Sequence, residues 1–181
     1  MTDRELHKTK FHSLLQEQIY NEFTAAQQYI AIAVYFDEAA LPQLAKHFYR
    51  QAVDERNHAM MLVAYLLDRD VDVEIPGVGA VRNQFDAATD ALALALDQER
   101  AVTEQVSRLA AVARDEGDYL GEQFMAWFLK EQVEEVALMT TLLRVARRAG
   151  DNLFELENFV AREVSTPSTD SAAPRVAGGR L

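Results

Sequence analysis

Four stretches of this 181-residue chain place metal-capable polar residues inside apolar stripes of helical period, and few folds accept that arrangement. The residues are Glu22, the pair Glu55 and His58, Glu99, and the pair Gln132 and Glu135. A carboxylate facing an apolar core is costly unless a cation or a hydrogen-bond donor compensates it. Glu22 and Glu55 are 33 positions apart, and so are Glu99 and Gln132. Two hairpins of equal length would therefore carry their polar residues at matching depths. Several carboxylates converging at one level argue for bound metal.

The periodicity predicts an all-α chain. A first helix from Lys8 to Asp37 has Phe11, Leu15, Ile19, Glu22, Ala26, Tyr29 and Ala33 inward, at three- and four-residue steps. Pro42 suits the first turn of a second helix, where a missing N–H costs little. That helix reaches about Leu67, with Leu44, Phe48, Gln51, Glu55, His58, Leu62 and Leu66 on one stripe. The short link makes the two an antiparallel hairpin.

About eighteen residues without helical period follow, RDVDVEIPGVGAVRNQFD. A connection this long between bundle neighbours reads as a crossover along the bundle. A third helix covers Asp86 to Arg114, and a fourth Tyr119 to Ala149. Helices of roughly 28 residues would be about 40 Å long at 1.5 Å per residue. Gly150 ends the fourth, Asp151 offers an N-cap, and a short fifth helix runs from Asn152 to Val164. The expected organisation is a helical domain over 1–164 and a flexible tail over 165–181, rich in Ser, Thr, Pro, Ala and Gly. That tail is a candidate docking segment.

Composition narrows the chemistry. The chain has no cysteine, which removes disulfides, thiolate nucleophiles and iron–sulfur ligation. Carboxylate, imidazole and amide ligands favour harder cations. A formal net charge of −11 disfavours nucleic acid and anionic membranes as partners. The N-terminus lacks the apolar run of a signal peptide, and the most apolar stretch is interrupted by Thr24, Gln27 and Gln28. The expected location is the cytoplasm.

On a helix, residues at i and i+3 share a face, so Glu55 and His58 can reach one metal together. One such Glu-x-x-His is a weak signal. The set is stronger, because ferritin-like carboxylate proteins use a Glu from each of two helices and a Glu-x-x-His from each of the other two. Three of these four elements are present. The fourth departs, reading Gln132-x-x-Glu135, and a neutral amide there predicts a more weakly held second metal.

Through NEFTAAQQY, QAVDERNHAMM, ALDQER and MAWFLKEQVEEVALM, the chain over residues 8–164 resembles the bacterial non-haem ferritins. The resemblance implies a ferritin-like four-helix bundle that oxidises Fe(II) with O2 at a di-iron centre within each subunit. It further implies storage of Fe(III) as mineral in a hollow homo-oligomer of 24 subunits, with the fifth helix at the four-fold axis. It assigns Glu22, Glu55 and His58 to a first iron, Glu55 and Glu99 to a second, and Gln132 to the oxygen site. Glu135, with Asp54, Glu131 and Glu134, would serve a third iron. Tyr29, two turns after Glu22, matches a redox-active tyrosine, the alternative being an ordinary core tyrosine. No haem is expected, since Arg56 stands where haem-binding relatives place a Met, and Met60 and Met61 read as core filling.

Other residues read as structural. Trp127 fits packing, with electron donation as the alternative. His47 lies three turns from the ligand level, and His7 and His12 read as surface residues. Among Asp115, Glu116, Asp118 and Glu122, the last is the candidate for an iron pore, the alternative being the charge preference of a helix N-terminus. Three other function classes compete. A peroxide-consuming di-metal enzyme would carry a second Glu-x-x-His and rubredoxin-type cysteines, a DNA-coating mini-ferritin would carry a basic tail, and a metal-free interaction protein would leave the carboxylates unexplained.

Overall fold

The computed structural model describes residues 8–164 and 170–181, so His7 lies outside it. Among the described residues there are five helices and no strand: α1 (Lys10–Glu38), α2 (Pro42–Asp68), α3 (Ala88–Asp115), α4 (Tyr119–Ala149) and α5 (Leu153–Glu163). Helix α1 packs on α2 and α3 on α4, and α1 meets α3 to join the two hairpins. None of these helices is long and apolar enough to cross a membrane.

Several helix ends have an identifiable cause. Thr9 and His12 form a capping box that starts α1. His12 is therefore not a surface residue: only 4% exposed, its ring closes the cap. After α1 the chain turns in three residues. Ala40 takes φ +56°, and Leu41 N–H reaches back to Phe36 O at 2.9 Å. Glu116, just past α3, spans the N-terminus of α1 with bonds from Lys10 and Phe11 N–H, both at 3.0 Å. Glu157 of α5 does the same for α2, accepting from Gln43 and Leu44 N–H at 2.9 Å. Both carboxylates meet orphan donors and the positive end of a helix dipole. At the start of α5 the N-cap is Asn152 rather than Asp151, because Asn152 N–H bonds to Ala149 O across the Gly150 turn.

The crossover runs beside α1, held by side chains of that helix. Gln28 pairs with both backbone groups of Arg82 at 2.8 Å, and Gln16 does likewise with Glu74. Between them Thr24 Oγ1 accepts from Gly79 N–H at 3.0 Å. A Cβ at position 79 would come within 2.7 Å of the Tyr20 hydroxyl, so a larger residue there would make that exposed tyrosine shift.

The core divides into two apolar layers. One contains Tyr29, Phe36, Leu44, Phe48, Leu92, Met139 and Leu142. The other contains Phe11, Leu15, Ile19, Leu62, Leu66, Val106 and Phe128. Each fully buried Leu, Ile or Phe contributes about 1.5–3 kcal/mol. Helix α5 joins the first layer through Leu156 and Val160. Those two residues thus have a burial partner within their own chain, whereas Phe154 is 81% exposed.

The composition of the last residues suggests mobility, yet 170–181 lie against the bundle. Val176 enters the second layer at 6% exposure, and Ala177 N–H donates to Met60 O at 3.1 Å. Arg175 pairs with Asp68 at 2.6 Å, and Asp170 accepts from Trp127 Nε1 at 2.9 Å. A few anchoring side chains suffice here, and mean composition does not register them. Residues 165–169 lie outside the described residues.

Candidate metal centre

Between the two apolar layers lies one polar layer, with Glu22, Gln51, Glu55, His58, Glu99 and Gln132 all buried. Its members come from all four long helices. On α1 and α2 they follow from the stripe itself, since Glu22 continues Ile19 and Glu55 continues Gln51 and Phe48. Among the described residues, Glu22, Glu55 and His58 offer ligand atoms that all lie within 4.8 Å of one another. His58 Nδ1 faces Glu55 Oε2 at 3.1 Å. The imidazole packs edge-on against Trp127 and Phe128, with centroids 5.7 and 5.6 Å away. Trp127 thereby touches the site through its ring and the C-terminal segment through its Nε1.

The charge on this cluster is poorly compensated by protein. Burial pushes the Glu22 carboxyl well above its usual range, and the facing charge of Glu55 adds to the rise. Glu55 is likewise raised, by burial first and then by Glu99. Gln18 Nε2 donates to Glu22 Oε1 at 2.8 Å, but no donor among the described residues reaches Glu22 Oε2. A buried oxygen without a donor fits a position meant for a cation.

The α3–α4 side is arranged differently. Glu99 accepts from the Tyr29 hydroxyl on one oxygen and from Gln132 Nε2 on the other, at 3.1 Å. Burial still lifts its carboxyl to about 7, against the opposing Tyr29 bond. Glu135, partly buried, accepts from Gln51 Nε2 at 2.7 Å, and burial with the Glu99 charge takes it to about 8. Tyr29 is fully buried, its phenol pushed well up by burial and by Glu99.

The remaining sequence candidates differ in burial. Asp54 and Glu131 are partly buried and raised by that burial, with His58 pulling both back down. Glu134 is exposed. His47 is buried against Phe48, and burial with the Arg50 charge lowers it to about 4. Asp118 caps α4 through Gly121 N–H at 3.0 Å, and Glu122 pairs with Arg114 at 2.5 Å.

Three polar partners carry no role in the sequence reading: Gln18, Gln51 and Thr103. Gln18 and Gln51 each sit one turn before a glutamate of the cluster, and they repeat its 33-residue spacing. That repetition was the available signal. Thr103, one turn after Glu99, gave none.

A four-helix bundle of two hairpins joined by a long crossover, with carboxylates and one histidine buried between its apolar layers, is the ferritin-like architecture. The Ferritin-like domain family model matches residues 12–149, and the chain belongs to that family. Ferritin BfrB of Mycobacterium tuberculosis is 76% identical over 181 residues, covering all of both chains. Its namesake in Mycolicibacterium smegmatis is 72% identical over the same full length. Among solved structures, the open pore ferritin of the archaeon Archaeoglobus fulgidus superposes with a TM-score of 0.82 at 26% identity, over 88% of this chain and 98% of that one.

Proposed function

We propose that this chain stores iron, oxidising Fe(II) with O2 at the polar layer and keeping the Fe(III) as mineral inside a shell of 24 copies. The observation that carries the reading is the convergence of Glu22, Glu55 and His58 within 4.8 Å, beside an oxygen with no donor among the described residues. Membership of the ferritin family and 76% identity to a named ferritin support it.

Iron is substrate here. Glu22, Glu55 and His58 hold the first Fe(II), and binding displaces the proton that burial otherwise keeps on the carboxylates. Glu55 and Glu99 hold the second ion between them. The two Fe(II) each give up one electron, and dioxygen takes both with two protons and leaves as hydrogen peroxide. Tyr29, hydrogen-bonded to Glu99, is the redox-active tyrosine of this proposal. Gln132 adds no charge, so the second position retains Fe(III) weakly and the product moves on. Asp54, Glu131, Glu134 and Glu135 form the third-ion site of this proposal. No haem takes part, and the protein works in the cytoplasm.

Aerobic addition of Fe(II) to the protein, beside Glu55→Ala and His58→Ala, tests the reading. Rapid ferric absorbance in the parent, slowed in both variants, with iron co-eluting in a very large particle, is the expected result. Oxidation with iron released from a small oligomer would instead favour a di-iron enzyme acting on a small molecule. Equal rates in all three proteins would remove the metal centre altogether.

A further inference from the structure

Gln18 sits on α1 one turn before Glu22, and it is only 2% exposed. Its amide nitrogen carries two hydrogens, and each has an acceptor. One goes to Glu22 Oε1 at 2.8 Å, within the helix. The other goes to Gln105 Oε1 at 3.0 Å, on α3 of the opposite hairpin. The amide oxygen accepts from Asn21 Nδ2 at 3.2 Å. Both polar atoms of the Gln18 amide are therefore engaged, and its plane is held from three directions.

A carboxylate that holds a cation is ionised, and an ionised carboxylate can only accept. Gln18 must then keep an N–H towards Glu22, since turning its own oxygen there would set acceptor against acceptor. That N–H occupies Oε1. Glu22 Oε2, buried and with no donor among the described residues, is the oxygen left for an ion. Without the bond across to Gln105, the amide would be held from α1 alone. Gln105 thus anchors, from the second hairpin, a side chain that orients a ligand on the first.

We infer that Gln18 is a positioning residue for the first metal position: braced by Gln105, it turns Glu22 so that Oε2 meets the ion. The inference rests on the metal-centre reading above. Loss of a contact that orients a metal ligand costs about 10–100-fold in affinity. Loss of the neutral bond that braces it corresponds to about threefold. Gln105 is partly exposed, at a surface cleft lined also by Glu17, Asn21 and Arg108, so changing it leaves both apolar layers in place.

The test is anaerobic titration of the intact protein with Co(II), followed by its visible absorbance. Gln18→Leu removes the donor and should weaken the first ion about tenfold or more, with its spectrum altered and the second step nearly unchanged. Gln105→Leu should weaken the same step about threefold. Gln105→Glu keeps the acceptor and should bind no more weakly than the parent. In a Glu22→Ala background Gln18→Leu should add nothing, because the amide acts only through that carboxylate. The inference is overturned by a first step unchanged or tightened in Gln18→Leu, by a loss shared equally between the two steps, or by an equal loss in the Glu22→Ala background. A Gln105→Leu protein that titrates like the parent overturns the brace. A Glu55→Ala control distinguishes the other failure: if it titrates like the parent, the metal-centre reading falls and takes this inference with it.

Discussion

The two hairpins place carboxylates in the same polar layer and satisfy them in opposite ways. On α1 and α2, Glu22, Glu55 and His58 crowd together, and Glu22 Oε2 has no donor among the described residues. On the other side Glu99 has a donor on each oxygen, and Glu135 has Gln51. The first group is incomplete as protein and invites a cation. The second is already paired, so a cation must compete with existing bonds. The contrast teaches that buried charge alone does not rank metal positions; what the protein has left unpaired does.

The largest expected effect separates these two sides. Glu55→Ala should weaken the first divalent ion by about a hundredfold or more, since loss of a supporting contact alone costs roughly 10–100-fold. Glu99→Gln should leave that ion nearly unchanged and weaken the second about tenfold. Calorimetry with Co(II) under anaerobic conditions reads both, and equal losses at both positions would erase the distinction.

A pH series sharpens it further. Glu99 and Glu135 stand near 7 and 8 in the folded protein against an ordinary value of 4.5. The folded chain therefore binds more protons than the unfolded one between about 4.5 and 8, and stability falls as pH rises through that window. The thermal midpoint of metal-free protein should drop from pH 5 to pH 8. The drop should shrink in Glu99→Gln and in Glu135→Gln, and Co(II) should cancel it by replacing the lost protons.

Removing residues 170–181 should cost about 1–2 kcal/mol, the order of one buried valine. It should also shift the emission of the single tryptophan, Trp127, to longer wavelength as its Asp170 partner is lost. Unchanged emission would show that the segment does not rest on α4 in solution. The smallest effect is expected far from the metal, at the α1–α2 turn. Ala40→Gly should stabilise by about 0.5–1 kcal/mol, because φ +56° burdens a Cβ that glycine lacks. Denaturant unfolding would register it.

Much of this was legible in the sequence because two periods coincide. The 3.6-residue apolar stripe located α1 to α4 to within a few residues, and the polar breaks in that stripe marked the layer where Glu22, Glu55, His58, Glu99 and Gln132 lie. Pro42 and Gly150 marked helix ends for steric reasons that hold in any context. What stayed hidden depends on partners distant in sequence. Glu116 caps α1 from 105 and 106 residues away, a contact with no local signature. Thr103 looked like any threonine one turn along a helix. His12 read as exposed because it lies near the chain start, while its burial comes from the cap it closes. The resting place of 170–181 depends on a groove that only the folded bundle provides.

The polar layer between two apolar ones also has a consequence for folding. If one hairpin slid along the other by a single helical turn, about 5.4 Å, Glu99 would lose the Tyr29 hydroxyl that reaches it from the opposite hairpin. Every such misalignment strands a carboxylate in hydrocarbon, so only one docking of the hairpins avoids that penalty. The residues proposed to bind the iron thus also serve as a key to assembly, rejecting partners by half a nanometre. Replacing the layer with leucine would give a bundle that is sturdier and less certain of its own alignment.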